Sequence, residues 1–123
     1  MVIEIVQGDF SVCKLNKMPD CEAIGGLYFT ACTDSEFSLV CKDCSVPRDI
    51  SIAVESGWRA MRIKGNLDFS LVGVLAKILD ILAAVKISVF TVSTYDTDYI
   101  LVKDIAAACA ALKRGGYDIE EIA

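Results

Sequence analysis

The feature that most constrains this chain is a repeat inside it. Phe29 to Val40, FTACTDSEFSLV, aligns with Phe90 to Val102, FTVSTYDTDYILV, with one gap opposite Tyr95. Phe, two Thr, Asp, Leu and Val are shared, and most other positions carry close substitutes. Each copy reads as strand, tight acidic turn, strand, which is a β-hairpin. The chain is therefore expected to hold a duplicated unit. Its 123 residues leave room for one compact domain or two very small halves with a common core.

The two units are unequal. In the second, Trp58 to Lys64 alternates as a strand does, with apolar residues between Arg59, Arg62 and Lys64. Asp68 or Ser70 caps a helix expected from about Leu71 to Val85, whose apolar face is Leu71, Val74, Leu75, Ile78, Leu82 and Val85. Hairpin strands follow at about Ile87 to Thr94 and Tyr99 to Lys103. A second helix is expected over Asp104 to Arg114, ended by Gly115-Gly116, and a last short strand lies within Tyr117 to Ile122. The order βαββαβ defines an α+β, ferredoxin-like unit.

The first unit begins with a strand over Phe10 to Leu15. Only about 19 positions separate Phe10 from Phe29, against about 32 between Trp58 and Phe90. The intervening segment carries Pro19 and Gly25-Gly26, so it is too short and too broken for a crossover helix. The expected layout is a tandem: a truncated unit over residues 1–56, in which 46–57 supply a remaining helix or irregular turn and the link, and a complete unit over 57–123.

Composition narrows the function. Hydrophobic residues make up 54% of a short chain, more than a small surface-rich domain hides easily, which implies a subunit interface and a homodimer. The formal net charge is -5 and no Lys/Arg cluster exists, so nucleic-acid binding is not expected. The most apolar stretch, Leu71 to Val85, is interrupted by Lys77 and Asp80 and is too short to span a membrane. The opening MVIEIVQGD does not read as a signal peptide, which points to a cytoplasmic protein. Its six cysteines are then expected as reduced thiols. Cys41-Lys42-Asp43-Cys44 is a CxxC, but it lacks a second pair and the chain has no His, so neither a metal nor a redox cofactor is expected. Cys32 takes the place of Ser93 in the repeat, which suggests packing. Without His or a phosphate-binding glycine loop, the chain reads as a non-enzyme.

Two segments are specific enough to carry a resemblance. Gly65 to Ala76, GNLDFSLVGVLA, and Ser93 to Lys103, STYDTDYILVK, resemble the ACT domain family, and in particular its small stand-alone tandem members from bacteria. Those proteins usually have Pro where Asn66 stands and Thr where Val72 stands. The Val46-Pro47 pair and the Gly57-Trp58-Arg59 junction match as well, so the resemblance covers nearly the whole chain. It implies a regulatory module that binds an amino acid or similar ligand where two ACT domains meet, and that acts on another protein. The alternative is a protein-interaction module of the same fold with no small ligand.

An amino acid needs donors for its carboxylate and acceptors for its ammonium. The segment Asp68, Phe69, Ser70, Leu71 and Gly73 leads into a helix N-terminus, which suits an anion. Ser93, Thr94, Asp96 and Asp98 on the hairpin offer hydroxyls and carboxylates suited to a cation. Each also has a plain structural reading: Asp68 and Ser70 as caps, Asp96 and Asp98 as turn formers, Gly73 as a packing residue.

Overall fold

The computed structural model describes residues 1–65 and 72–122. The elements are β1 (Val2–Leu15), β2 (Tyr28–Cys32), β3 (Phe37–Lys42), β4 (Ser51–Ile63), α1 (Val74–Ala84), β5 (Val89–Ser93), β6 (Asp98–Val102), α2 (Ile105–Arg114) and β7 (Asp118–Glu121). Contacts divide the chain into a larger unit, Met1–Gln7 with Arg59–Ala123, and a smaller unit, Gly8–Trp58. The first seven residues thus belong with the larger unit. β1 and β4 each run through the boundary between units.

In the larger unit the end of β4, then α1, β5, β6, α2 and β7, give the βαββαβ order, so the α+β, ferredoxin-like class holds. The start of β1 is an addition to it. Val2–Ile5 pairs in parallel with Asp118–Glu121, and Lys64 N donates to Val2 O at 3.0 Å, so β1 lies between β4 and β7. Ile3 and Ile5 point into the core with Met61, Ile63, Ile100 and Val102, while α1 supplies Ile78 and Leu82 and α2 supplies Ala108 and Leu112. Ile78 and Leu82 stand four residues apart on one face of α1, as a helix packed on a sheet requires. Val85, expected on that face, is exposed at the helix C-cap. Asp104 caps α2 by accepting the Ala107 N–H at 3.1 Å. A side chain at Gly115 would meet Ile81 Cδ1 at 2.6 Å, so this glycine lets the end of α2 approach α1.

The smaller unit has no crossover helix among its described residues. β3 pairs antiparallel with both β2 and β1, and Ser11 of β1 sits 3.0 Å from Ser56 of β4. Two single-turn 3₁₀ helices, Cys21–Ala23 and Asp43–Ser45, stand where longer helices are found in the larger unit. Its core is Cys13, Leu15, Leu39, Cys41 and Ile50, with Ile24, Tyr28, Phe37, Val46 and Val54 packed against it. Ser11 is fully buried and is satisfied by Asp43 and Ser56. Of the segment expected to hold a remaining helix or irregular turn and then the link, residues 46–50 form an irregular turn, but 51–57 carry the first half of β4 instead of a link. Its side chains are mostly exposed there, which removes the apolar alternation that would have marked a strand.

The repeat is real, but its alignment needs correcting. Both hairpins have four-residue turns, with Cys32 opposite Phe37 and Ser93 opposite Asp98. No gap at Tyr95 is needed. The ungapped match sets Leu39 and Cys41 on Ile100 and Val102, all core residues, whereas the gapped one would turn each strand face over. Cys32 is exposed, so its match with Ser93 marks no packing role.

Candidate functional site

The site is built around the second hairpin turn, Thr94 to Thr97. Thr94 N donates to Thr97 O at 2.8 Å, and the Thr94 hydroxyl accepts the Thr97 N–H at 3.3 Å. The Thr97 hydroxyl then reaches out of the turn and donates to Ile63 O at 2.8 Å. That bond fixes the turn against the end of β4. Asp96 is left exposed at the tip, while Asp98 is the first residue of β6 and accepts a hydrogen bond from Ser93 Oγ.

Alternation along β4 decides what faces the turn. Met61 and Ile63 point into the core, so Arg62 points to the opposite side of the sheet. Arg62 pairs in register with Tyr99 on β6. Its Nε donates to Glu4 Oε1 at 3.1 Å and its Nη1 to the Tyr99 hydroxyl at 3.2 Å. The guanidinium carbon also lies 6.0 Å from the Tyr99 ring centroid. The bond to Tyr99 and the neighbouring Glu4 carboxylate hold the Arg62 pKa above its usual value, against the opposing effect of partial burial. With side-chain exposures of 34% and 17%, Arg62 and Glu4 are half-buried and partly wet.

These groups line a cleft of about 270 Å³ within the larger unit, which Thr94, Asp96 and Thr97 of the turn share with Glu4, Arg62 and Tyr99 of the strands. One guanidinium therefore stands with two carboxylates and three side-chain hydroxyls beside it. Such a set offers donors to an anion and stronger acceptance to a cation.

Of the residues singled out in the sequence, Thr94 and Asp96 line this cleft. Ser93 and Asp98 bond each other beside it and are not among its lining residues. Gly73 lines a separate cavity of about 270 Å³ with Lys77, Gly116 and Tyr117, where the Lys77 ammonium lies 5.7 Å from the Tyr117 ring centroid. Gly73 is the N-cap of α1 and not a first-turn residue; its φ of 79° is left-handed, which explains a glycine there. No described atom lies within 4 Å of where its Cβ would be, so close packing is not the reason. Asp68, Phe69, Ser70 and Leu71 lie outside the described residues, but α1 begins at Val74 with Gly73 as its N-cap, three residues later than the expected start at Leu71 and not with a cap at Asp68 or Ser70.

Sequence reasoning missed Arg62, Glu4 and Tyr99. Arg62 reads as one member of a wet strand face, and only the β4–β6 register places Tyr99 opposite it. Ile3 and Ile5 on either side of Glu4 were the available signal for a strand with Glu4 on its other face.

Among the described residues no group of three or more His, Cys, Asp or Glu could hold a metal. Cys41 is buried in the core while Cys44 is exposed on a 3₁₀ helix. Burial pushes the Cys41 thiol up to about 12, helped by the neighbouring Cys13, whose own thiol burial also raises. Both are protonated packing groups at neutral pH. No described helix is long and apolar enough to cross a membrane.

This fold is that of a known family of domains. Residues 53–114 match the ACT domain, and the chain belongs to that family. Within the family it is 38% identical over 66 residues to the "Cytosolic arginine sensor for mTORC1 subunit 1" of Rattus norvegicus, a match covering 51% of this chain and 20% of the sensor. The chain thus spans about a fifth of that relative's length. Among solved structures, protein Atu0741 from Agrobacterium tumefaciens superposes with a TM-score of 0.86 at 26% identity, over 98% of this chain and 92% of that one. A structure of aspartokinase α and β subunits gives a TM-score of 0.66 at 16% identity, over 94% and 97% of the two chains, and shares the fold.

Proposed function

We propose that this protein is a non-catalytic regulator that binds an amino acid, and that the cleft between Arg62 and Asp96 is part of its binding site. The observation that carries this reading is the grouping of Arg62, Glu4, Asp96 and Tyr99 around one small cleft. A ligand carboxylate meets the remaining N–H groups of Arg62, and a ligand cation meets Asp96 and Glu4. With one positive and two negative side chains, the cleft favours a ligand carrying net positive charge. A relative named an arginine sensor matches about half of the chain (51%), which makes L-arginine the first probe. The working form is a cytoplasmic homodimer in which two ACT domains meet beside the ligand, and the signal passes to a partner protein.

Calorimetric titration with L-arginine tests the site. A ligand of this size is expected to bind with a Kd between about 1 mM and 1 μM. Asp96→Ala is expected to weaken binding by about tenfold or more, since a charge-assisted bond is lost. A flat titration with every common amino acid at millimolar concentration would sink the reading.

A further inference from the structure

The smaller unit contains a cavity of about 570 Å³, roughly twice the size of the cleft described above. It lies within the range of small-molecule pockets, ~300–1,000 Å³. Ile24 and Ile50 form part of its lining, and both also belong to the core of that unit. By the hairpin register, that core face corresponds to the one covered by α1 and α2 in the larger unit. The cavity therefore borders the core face that carries no crossover helix among the described residues of the smaller unit.

Its lining is mixed. Met18, Ile24 and Ile50 supply apolar surface, and Lys17, Asp20 and Asp49 supply charge. Asp20 Oδ1 accepts the Glu22 N–H at 3.2 Å, which fixes the carboxylate and leaves its second oxygen available. Neither Lys17 nor Asp49 forms a side-chain hydrogen bond or ion pair among the described residues. The walls are held in place: Asn16 N donates to Ile50 O at 2.9 Å, Ile50 N to Pro47 O at 3.2 Å, and the Ser51 hydroxyl to Pro47 O at 2.8 Å.

We propose that this cavity is a second ligand site, which takes a zwitterionic amino acid with an apolar side chain. The side chain lies on Met18, Ile24 and Ile50, the ammonium group meets Asp20 and Asp49, and the carboxylate meets Lys17. The apolar contact and the two opposite charges together distinguish this ligand from a fatty acid or a simple amine. The site is independent of the cleft at Arg62.

The test is a titration of the ¹⁵N-labelled full chain with L-leucine, read by amide shifts. Saturable shifts in residues 17–24 and 45–50 are expected, unchanged in Asp96→Ala. Asp49→Ala and Lys17→Ala are each expected to raise the Kd about tenfold, while Ala23→Trp, which fills the cavity from an exposed position, abolishes the shifts. 4-Methylpentanoate, which lacks the ammonium, and 3-methylbutylamine, which lacks the carboxylate, are each expected to bind at least tenfold more weakly (about one charge-assisted bond). The proposal is overturned if shifts stay linear to the solubility limit, if they fall only around residues 62–65 and 94–99, or if 4-methylpentanoate binds as well as leucine.

Discussion

The two hairpins share length, register and core-facing positions, yet their units are covered differently. Above the second hairpin two helices of eleven and ten residues bury Ile78, Leu82, Ala108 and Leu112 against the sheet. Over the first, two single-turn 3₁₀ helices and a handful of half-buried side chains do the same task. The difference teaches that the hairpin is what the two units have in common, and that its helical cover can be reduced when the core it protects is small.

The comparison is most easily broken in the two cores. Leu82→Ala removes a fully buried side chain held between helix and sheet, and a cost near the top of about 2–5 kcal/mol is expected in urea unfolding. Leu39→Ala, equally buried but under lighter cover, is expected to cost nearer 2 kcal/mol, since its neighbours can collapse into the gap. Equal losses would mean that the smaller unit is packed as tightly as the larger.

Alkaline pH is expected to act most strongly on the smaller core, through Cys41. Cys41 is protonated when folded, with a pKa pushed up from 9.0 to about 12 by burial, whereas the unfolded chain ionises it normally. Above that lower value the unfolded state binds fewer protons than the folded one, so stability is full below about pH 9 and is lost as pH rises toward about 12. The loss from this thiol is on the order of a few kcal/mol, and Cys41→Ala should flatten the decline measured by chemical denaturation across that window. An unchanged slope in the variant would show that other groups govern it.

The smallest effect separates the turns. Thr33 and Thr94 each cap their own turn, and each turn closes on itself by matching backbone bonds. Only Thr97 ties its turn to a neighbouring strand; its counterpart in the ungapped repeat is Glu36, which has no such bond among the described contacts. Thr97→Val is expected to cost about 1 kcal/mol in thermal unfolding, and to weaken amino-acid binding at the cleft by loosening Asp96. Thr33→Val should leave binding unaltered. If Thr97→Val does the same, the tether does not position the site.

Much of the fold was legible because local signals agreed with one another. The hairpin strands, α2 with its Asp104 cap, and the final strand were all placed within a residue or two of their bounds. The start of β1 and the first half of β4 were not. Val2–Ile5 gains its strand neighbours from β4 and β7, which no local window reveals, and residues 51–57 are mostly exposed and lack the alternation of a half-buried strand. The site was legible only in part for the same reason. Thr94 and Asp96 stand in a recognisable turn, but Glu4, Arg62 and Tyr99 converge from three strands far apart in sequence, and only the register brings them together.

The parallel pairing of Val2–Ile5 with Asp118–Glu121 has a consequence for how the chain is made. Of the described elements β1 is synthesised first, and its partner β7 last. While the chain is being elongated, Ile3 and Ile5 have no β7 beside them, and an unpaired strand edge can recruit other chains. Closing that pair joins residues from nearly opposite ends of the sequence, a long-range contact of the kind that slows folding. The larger unit is therefore expected to finish folding only after β7 has left the ribosome, with the hairpin and helices already formed and waiting for it.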